Sequence, residues 1–300
     1  MAKTRIGLSG WSYAGWRGEF FPDGLPHRAE LEYASRRFDT IEINGSFYAL
    51  QKPESYRRWR RETPPGFVFA VKGSRFITHN KKLGDVTTAL ANFFASGVLA
   101  LREKLGPVLW QLPENLELDV DRVGEFLERL PHTTEAAARL ATGHDDRVRG
   151  RSWFDVRANH RLRHAIEVRN ESFLTDEFVR LARGTGTAIV FSDAADWPYT
   201  EELTAGFVYL RLHGSRATYA SRYTDDELGR WADRIRAWQR GDEPEDAVRI
   251  TDRVPPRRKG RDVYAYFDND RFAHAPRDAL RLAHRLGTGP THLEGGVGGA

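Results

Sequence analysis

The chain has 300 residues, with 46 Lys and Arg against 42 Asp and Glu, ten His, one Met and no Cys. A chain of this length buries roughly three quarters of its unfolded surface, in one large domain or two small ones, and 40% hydrophobic with 12% aromatic residues is a globular composition. The lack of Cys excludes disulfides, thiolate zinc sites, iron–sulfur clusters and a thiol nucleophile. No apolar run approaches the ~20 residues of a membrane helix, and Met1–Ile6 contains no signal-peptide core. The chain is therefore expected to be soluble, cytoplasmic and without membrane contact.

The net charge of +4 is spread along the chain, and 39 of the 46 basic residues are Arg. Two runs stand out locally. Arg57-Arg58-Trp59-Arg60-Arg61 interleaves an aromatic, and Arg253 to Arg261 surrounds Pro255-Pro256. The first falls in a helical stretch, where such charges make a solvated face; nucleic-acid contact is the alternative use.

In chain order, strand Ile6–Gly10 is followed by helix Arg28–Phe38 and strand Thr40–Asn44. Helix Ser55–Glu62, strand Phe67–Gly73, a long amphipathic helix over Val86–Leu105 and strand Pro107–Pro113 come next. Val123–Leu130 is a helix stopped by Pro131, and Thr134–Leu140 a second one. His144–Leu162 is charged and reads as an excursion before strand His164–Asn170. Helix Asp176–Arg183 has an acidic first turn that suits the helix dipole. Strands Thr187–Asp193 and Phe207–Gly214 are separated by only about a dozen residues, room for one short helix at most. Helix Asp225–Arg240, a polar and mobile loop over Gly241–Asp262 and strand Val263–Asp270 complete the pattern.

Eight strands alternating with helices predict a single α/β domain over residues 1–286, a (β/α)8 TIM-like barrel irregular around strands six and seven. The Gly-rich residues 287–300 read as a disordered tail. A doubly wound open sheet is disfavoured, because Gly7-Leu8-Ser9-Gly10 lacks the dinucleotide-binding spacing. No phosphate-binding loop, His-Glu-x-x-His helix or nucleophile elbow occurs.

In such barrels the active site lies at the C-terminal ends of the strands, and side chains alternate between the barrel interior and the helical layer. With Ile41 and Ile43 facing the helices, Glu42 and Asn44 point inward. The same alternation turns Lys72, Gln111, Glu167, Arg169, Tyr209, Arg211 and His213 inward. Asp193 closes strand six, and Asp268-Asn269-Asp270 end strand eight with an undecided face. Unpaired charge is costly to bury, so this set is either mutually paired or open to a ligand. A purely structural network would pair Glu42 with Lys72 and Glu167 with Arg211.

An active site at these strand ends assigns catalytic roles to Glu42, Glu167, Asp193 and His213, with the carboxylates as acid and base and His213 as proton shuttle. Lys72, Arg169 and Arg211 suit a carboxylate or phosphate. Asn44, Tyr48, Gln111, Trp11 and Asn269 complete the substrate-binding set, Trp11 and Tyr48 as parts of an aromatic rim with Tyr13, Phe47 and Trp197. The pattern requires no cofactor. Should a divalent metal bind, its ligands are Glu42, Glu167, Asp193 and His213, although the neighbouring cations oppose it.

The motifs resemble the DUF72 (YecE-like) family. They are Gly10-Trp11-Ser12-Tyr13 with Trp16 and Phe20-Phe21-Pro22, Thr40-Ile41-Glu42-Ile43-Asn44 with Ser46-Phe47-Tyr48, Phe69 to Lys72 and Ile77-Thr78-His79. Leu105-Gly106-Pro107, Gln111-Leu112-Pro113, Glu167-Val168-Arg169 with Ser172-Phe173, Tyr209 to Gly214 and Tyr266 to Asp270 continue the series. Asn170 stands where the family pattern often has His, and Asp268 where Asn is usual. The resemblance implies a TIM-like barrel and no established reaction. The expected function is therefore that of an enzyme, whether hydrolase, lyase or isomerase, using acid–base chemistry on a small anionic substrate. The alternatives are a metal-dependent phosphodiester or nucleic-acid-processing hydrolase and a non-catalytic ligand-binding protein.

Overall fold

The computed structural model describes residues 2–288, so most of the tail expected to be disordered lies outside the described residues. Nine parallel strands form a nearly closed TIM-like barrel: β1 (Thr4–Ser9), β2 (Thr40–Ile43), β3 (Val68–Lys72), β4 (Leu105–Gln111), β5 (His164–Glu167), β6 (Ala188–Ile189), β7 (Phe191–Ala194), β8 (Phe207–Gly214) and β9 (Asp262–Phe267). Their order around the sheet is β6-β5-β4-β3-β2-β1-β9-β8-β7. Helices α1 (Glu30–Ser35), α2 (Gly45–Tyr48), α3 (Pro53–Glu62), α4 (Thr87–Ala95), α5 (Val120–Arg129), α6 (Thr134–Ala141), α7 (Asp176–Thr185), α8 (Asp225–Arg240) and α9 (His274–Leu286) lie between them.

The expected sixth strand exists but is broken at Val190. Its first half, β6, pairs with β5, and its second half, β7, pairs with β8. The Val190 amide still donates to Ile166 O at 2.9 Å. No helix follows β7; residues 195–206 are irregular. The expected mobile loop after α8 also lacks regular structure, yet it is tied to this irregular stretch. Val248 O accepts from Glu201 N at 2.6 Å, and Glu202 Oε2 accepts from the Ile250 and Thr251 amides at 2.9 and 3.1 Å.

The expected long helix over Val86–Leu105 is two pieces. Helix α4 ends at Ala95, Gly97 turns left-handed at φ +117°, and a short 3-10 segment leads into β4. A Cβ at Gly97 would sit 2.5 Å from the Cα of Pro53, so the close approach of α3 requires a glycine and breaks the helix. The α8 N-terminus follows the expected acidic start. Thr224 and Glu227 form a reciprocal capping box there.

Alternation divides the apolar residues into two cores. Ile41, Ile43, Trp110, Ile166, Leu210 and Leu212 pack outward against the helices. Ala70, Leu109, Ala165, Val190, Tyr209 and Tyr266 fill the barrel interior. Small residues on β3, β5 and β6 make room for the large Tyr209 and Tyr266 of β8 and β9, which meet at a ring separation of 5.1 Å. Above this layer, the next inward positions are charged.

Candidate active site

Arg211 on β8 is the centre of the charged layer, and it is buried. Its Nη1 donates to Glu167 Oε2 at 2.8 Å. Its Nη2 faces Glu42 Oε1 at 2.9 Å, Asp268 Oδ2 at 2.8 Å and Ser9 Oγ at 2.9 Å. One guanidinium thus serves three carboxylates brought in by β2, β5 and the end of β9. Only a planar fork reaches all three. Glu42 is further satisfied by the Tyr209 hydroxyl at 2.6 Å and by Ser9 Oγ at 2.8 Å. Glu167 also accepts from Ser192 Oγ at 3.2 Å and from Arg169 Nη2 at 3.3 Å. Burial opposes its charge, but Arg211 and then Arg169 overcome that and hold its carboxyl well below the usual range.

His213 stands between two of these carboxylates, with Nε2 3.3 Å from Glu167 Oε1 and Nδ1 3.1 Å from Asp268 Oδ2. Trp197 and Tyr219 cover the imidazole edge-on at 4.8 and 5.4 Å. Tyr219 holds a left-handed backbone, φ +65°, anchored by its amide to His213 O. Arg169 stacks on Trp197 at 3.5 Å, so its charge is spent on an aromatic face and on Glu167.

Beside this layer lies an open cavity of about 600 Å³. Its wall contains Gly10, Trp11 and Tyr13 after β1, Asn44, Tyr48 and Gln51 after β2, Lys72 at the end of β3, Arg211, Tyr219 and Asp268. All of these lie toward the C-terminal ends of the strands, where barrel enzymes work. Of the expected binding residues, Trp11, Asn44, Tyr48, Lys72 and Arg211 meet here. Glu42 and Glu167 have no exposed surface and stand behind Arg211. The carboxylate that reaches the cavity is Asp268.

Arg169 and His213 are not part of the cavity wall, and three further expected site residues are also missing from it. Asp193 follows Ile189 and Phe191 to the helical side, where it accepts from Trp231 Nε1 of α8 at 3.2 Å; Ser192 is the inward residue of β7. Asn269 is buried and ties the end of β9 to α9, donating to Ser221 O and Asp278 Oδ2 at 3.0 Å each. Gln111 points inward but is absent from the cavity wall. Among the described residues no three His, Asp or Glu side chains are arranged to hold a metal ion. The set Glu42, Glu167, Asp193 and His213 fails because Asp193 faces outward and Arg211 occupies the space between the glutamates.

The end of β9 contributes two carboxyls of opposite character. Arg211, assisted by His213, overcomes burial and lowers Asp268 to about 2. Burial, reinforced by the charge of Asp268, raises Asp270 well above its ordinary value. Strand reading does not find Ser9 and leaves the face of Asp268 and Asp270 open. Continuing the inward alternation of Tyr264 and Tyr266 by one step finds Asp268.

Lys72 differs from its neighbours. It is buried, yet its Nζ makes no hydrogen bond or ion pair with any described residue. It sits 4.4 Å from the centre of the Phe47 ring, and that ring packs against His79. Glu42, its expected partner, belongs to Arg211. Burial and then the positive charge of Arg211 bring Lys72 down to about 8, against the opposing pull of Glu42, Glu167 and Asp268. Burial and Lys72 together bring His79 down to about 4, so it is neutral.

The expected basic run lies on α3. Arg58 pairs with Glu62, Arg60 pairs with Glu103, and Arg57 lies over Trp153. No helix among the described residues is long and apolar enough to cross a membrane.

Comparison with known proteins agrees with this architecture. The chain is 31% identical over 127 residues to UPF0759 protein YecE of Escherichia coli K12, covering 42% of this chain and 44% of that protein. It is 29% identical over 113 residues to UPF0759 protein YunF of Bacillus subtilis, covering 36% and 39%. The matched stretches thus span less than half the length of these curated relatives. A DUF72 family crystal structure from Thermotoga maritima superposes with a TM-score of 0.70 at 21% identity, over 95% of this chain and 99% of that one. Another, from Enterococcus faecalis, gives 0.66 at 16% identity over 95% of each chain. The family model described as "Protein of unknown function DUF72" matches residues 5–296, and the chain belongs to that family.

Proposed function

We propose that the protein is an enzyme that carries out acid–base chemistry on a small anionic substrate in the cavity at the strand C-termini. One observation carries this reading: the cavity wall holds a buried ammonium, Lys72, with no partner among the described residues. Its nitrogen opens onto the cavity, where an anionic ligand can take the place of water as its partner. Arg211 is already surrounded by three carboxylates, so the substrate anion falls to Lys72. Asp268, ionised and facing the cavity, is the base, and His213 behind it takes the proton on. Trp11, Tyr48 and Tyr219 supply flat walls for the rest of the substrate.

The test is a thermal-shift screen of small phosphorylated and carboxylated sugars and acids against the wild type and Lys72→Gln. Hits are followed for turnover by proton NMR. Stabilisation of the wild type that disappears in Lys72→Gln is the expected result. Equal stabilisation of both proteins, or of neither, overturns the reading.

A further inference from the structure

Two lysines of this chain are buried, and they are built differently. Lys104 donates to Arg60 O at 2.8 Å, to Thr63 O at 2.6 Å and to Thr63 Oγ1 at 2.9 Å. All three ammonium hydrogens are used, so it is a structural cation fixing the end of α3. Lys72 has none of these partners, while its backbone is held firmly: Ser46 Oγ donates to Lys72 O at 2.6 Å. A fixed stem thus presents a bare nitrogen to the cavity, over an aromatic ring and near a second cation. A largely buried amine on a cavity wall beside another positive charge is the arrangement that makes a lysine a nucleophile.

We propose that Lys72 acts as a nucleophilic amine and that the substrate is a small carbonyl compound bearing an acid group, captured as an imine. This rests on the reading of the cavity as the site of a small anionic substrate, and it names the functional group that reacts. The ammonium form draws in the acid group. After loss of one proton, the nitrogen lone pair attacks the carbonyl carbon, and the carbonyl π pair moves to oxygen. The two remaining amine hydrogens pass to that oxygen, with Asp268 as the carboxylate placed to relay them, and it departs as water while the C=N bond forms. One proton from solvent then makes the nitrogen an iminium cation, so the acid group keeps a positive partner throughout. The iminium draws electrons from the neighbouring carbon, where a proton or carbon substituent can then leave. No oxidant or reductant is consumed.

The experiment uses the full chain with pyruvate, and separately with dihydroxyacetone phosphate, in the presence of cyanoborohydride, which reduces an imine to a stable secondary amine. Peptide mapping then locates the adduct, and the six other lysines act as internal standards. The expected result is an adduct at Lys72 in roughly hundredfold excess over the exposed lysines, the ratio of free amine their environments set at neutral pH. Lys72→Arg and Lys72→Met, checked for folding by thermal unfolding, lose the adduct. Modification spread evenly over the lysines, or no Lys72 adduct with either compound, overturns the proposal. If the adduct is missing but Lys72→Met abolishes stabilisation by the same compounds, imine formation fails and the anion-binding reading survives. If Lys72→Met changes neither, both fail.

Discussion

Arg211 and Lys72 border the same cavity under opposite rules. Around Arg211 three carboxylates share one guanidinium and nearly every donor has an acceptor, so the cluster is rigid and closed to a competing anion. Around Lys72 the charge is bare, one wall is an aromatic ring, and the space in front is open. The difference shows that burying a cation does not by itself define its job. What decides is whether the fold supplies its partners or leaves them to a ligand.

The largest effect expected from breaking this contrast is at Arg211. Arg211→Met strands three buried carboxylates, and urea unfolding is expected to show a loss of about 3–5 kcal/mol or more. Arg211→Lys recovers little, because a point charge does not span Glu42, Glu167 and Asp268. Retention of wild-type stability in either variant contradicts the pairing described.

Next come the two carboxyls at the end of β9. Asp268 titrates lower in the folded protein than in the unfolded chain, near 3.9. It therefore contributes stability above about pH 4, lost as the pH falls toward 2, and Asp268→Asn is expected to cost about 2–3 kcal/mol at pH 7. Asp270 is displaced the other way. Its value is raised in the fold, so stability falls as the pH rises past the unfolded value. Asp270→Asn is thus expected to stabilise the protein at pH 7. Unfolding curves at pH 3, 5 and 7 separate the pair; equal responses would show that the two do not share a site.

Lys72→Met is the subtler probe. The folded state gives up the Lys72 proton near pH 8 and the unfolded chain near 10.4, so wild-type stability rises across that interval. Removing the ammonium is expected to raise stability at pH 7 by about 1–3 kcal/mol and to flatten the rise. Lys104→Met, which leaves three oxygens without a donor, is expected to do the reverse by about 1–3 kcal/mol. Finally, Tyr48 is 71% exposed on the cavity rim, and Tyr48→Ala is expected to change stability by less than about 0.5 kcal/mol while weakening any ligand the cavity stabilises.

The inward stripe was readable from alternation alone. Isoleucines at 41, 43 and 166 and leucines at 210 and 212 assign Glu42, Glu167, Arg211 and His213 to the interior without any contact being known. Asp193 shares the parity of Ile189 and Phe191, which turns it to the helical side despite its strand-end position. The face of Asp268 stays open in the sequence because Tyr264 and Tyr266 suit either side. The pairing was beyond reach for another reason. Whether Glu42 meets Lys72 or Arg211 depends on how β2, β3 and β8 converge across the barrel, and no local pattern encodes that distance. The helix break at Gly97 similarly depends on α3, more than forty residues earlier in the chain.

The break at Val190 matters beyond topology. It is where the barrel's hydrogen bonding passes from the β5 side to the β8 side, and it sets which of two adjacent residues, Ser192 or Asp193, faces Glu167. A slip of one residue at this seam would replace a neutral hydroxyl by a carboxylate and bring a fourth negative charge up to a single guanidinium. The hydrogen bond from the Val190 amide to Ile166 thus guards the charge balance of the site from the opposite side of the strand, and a one-residue deletion there would be an electrostatic lesion before it became a packing one.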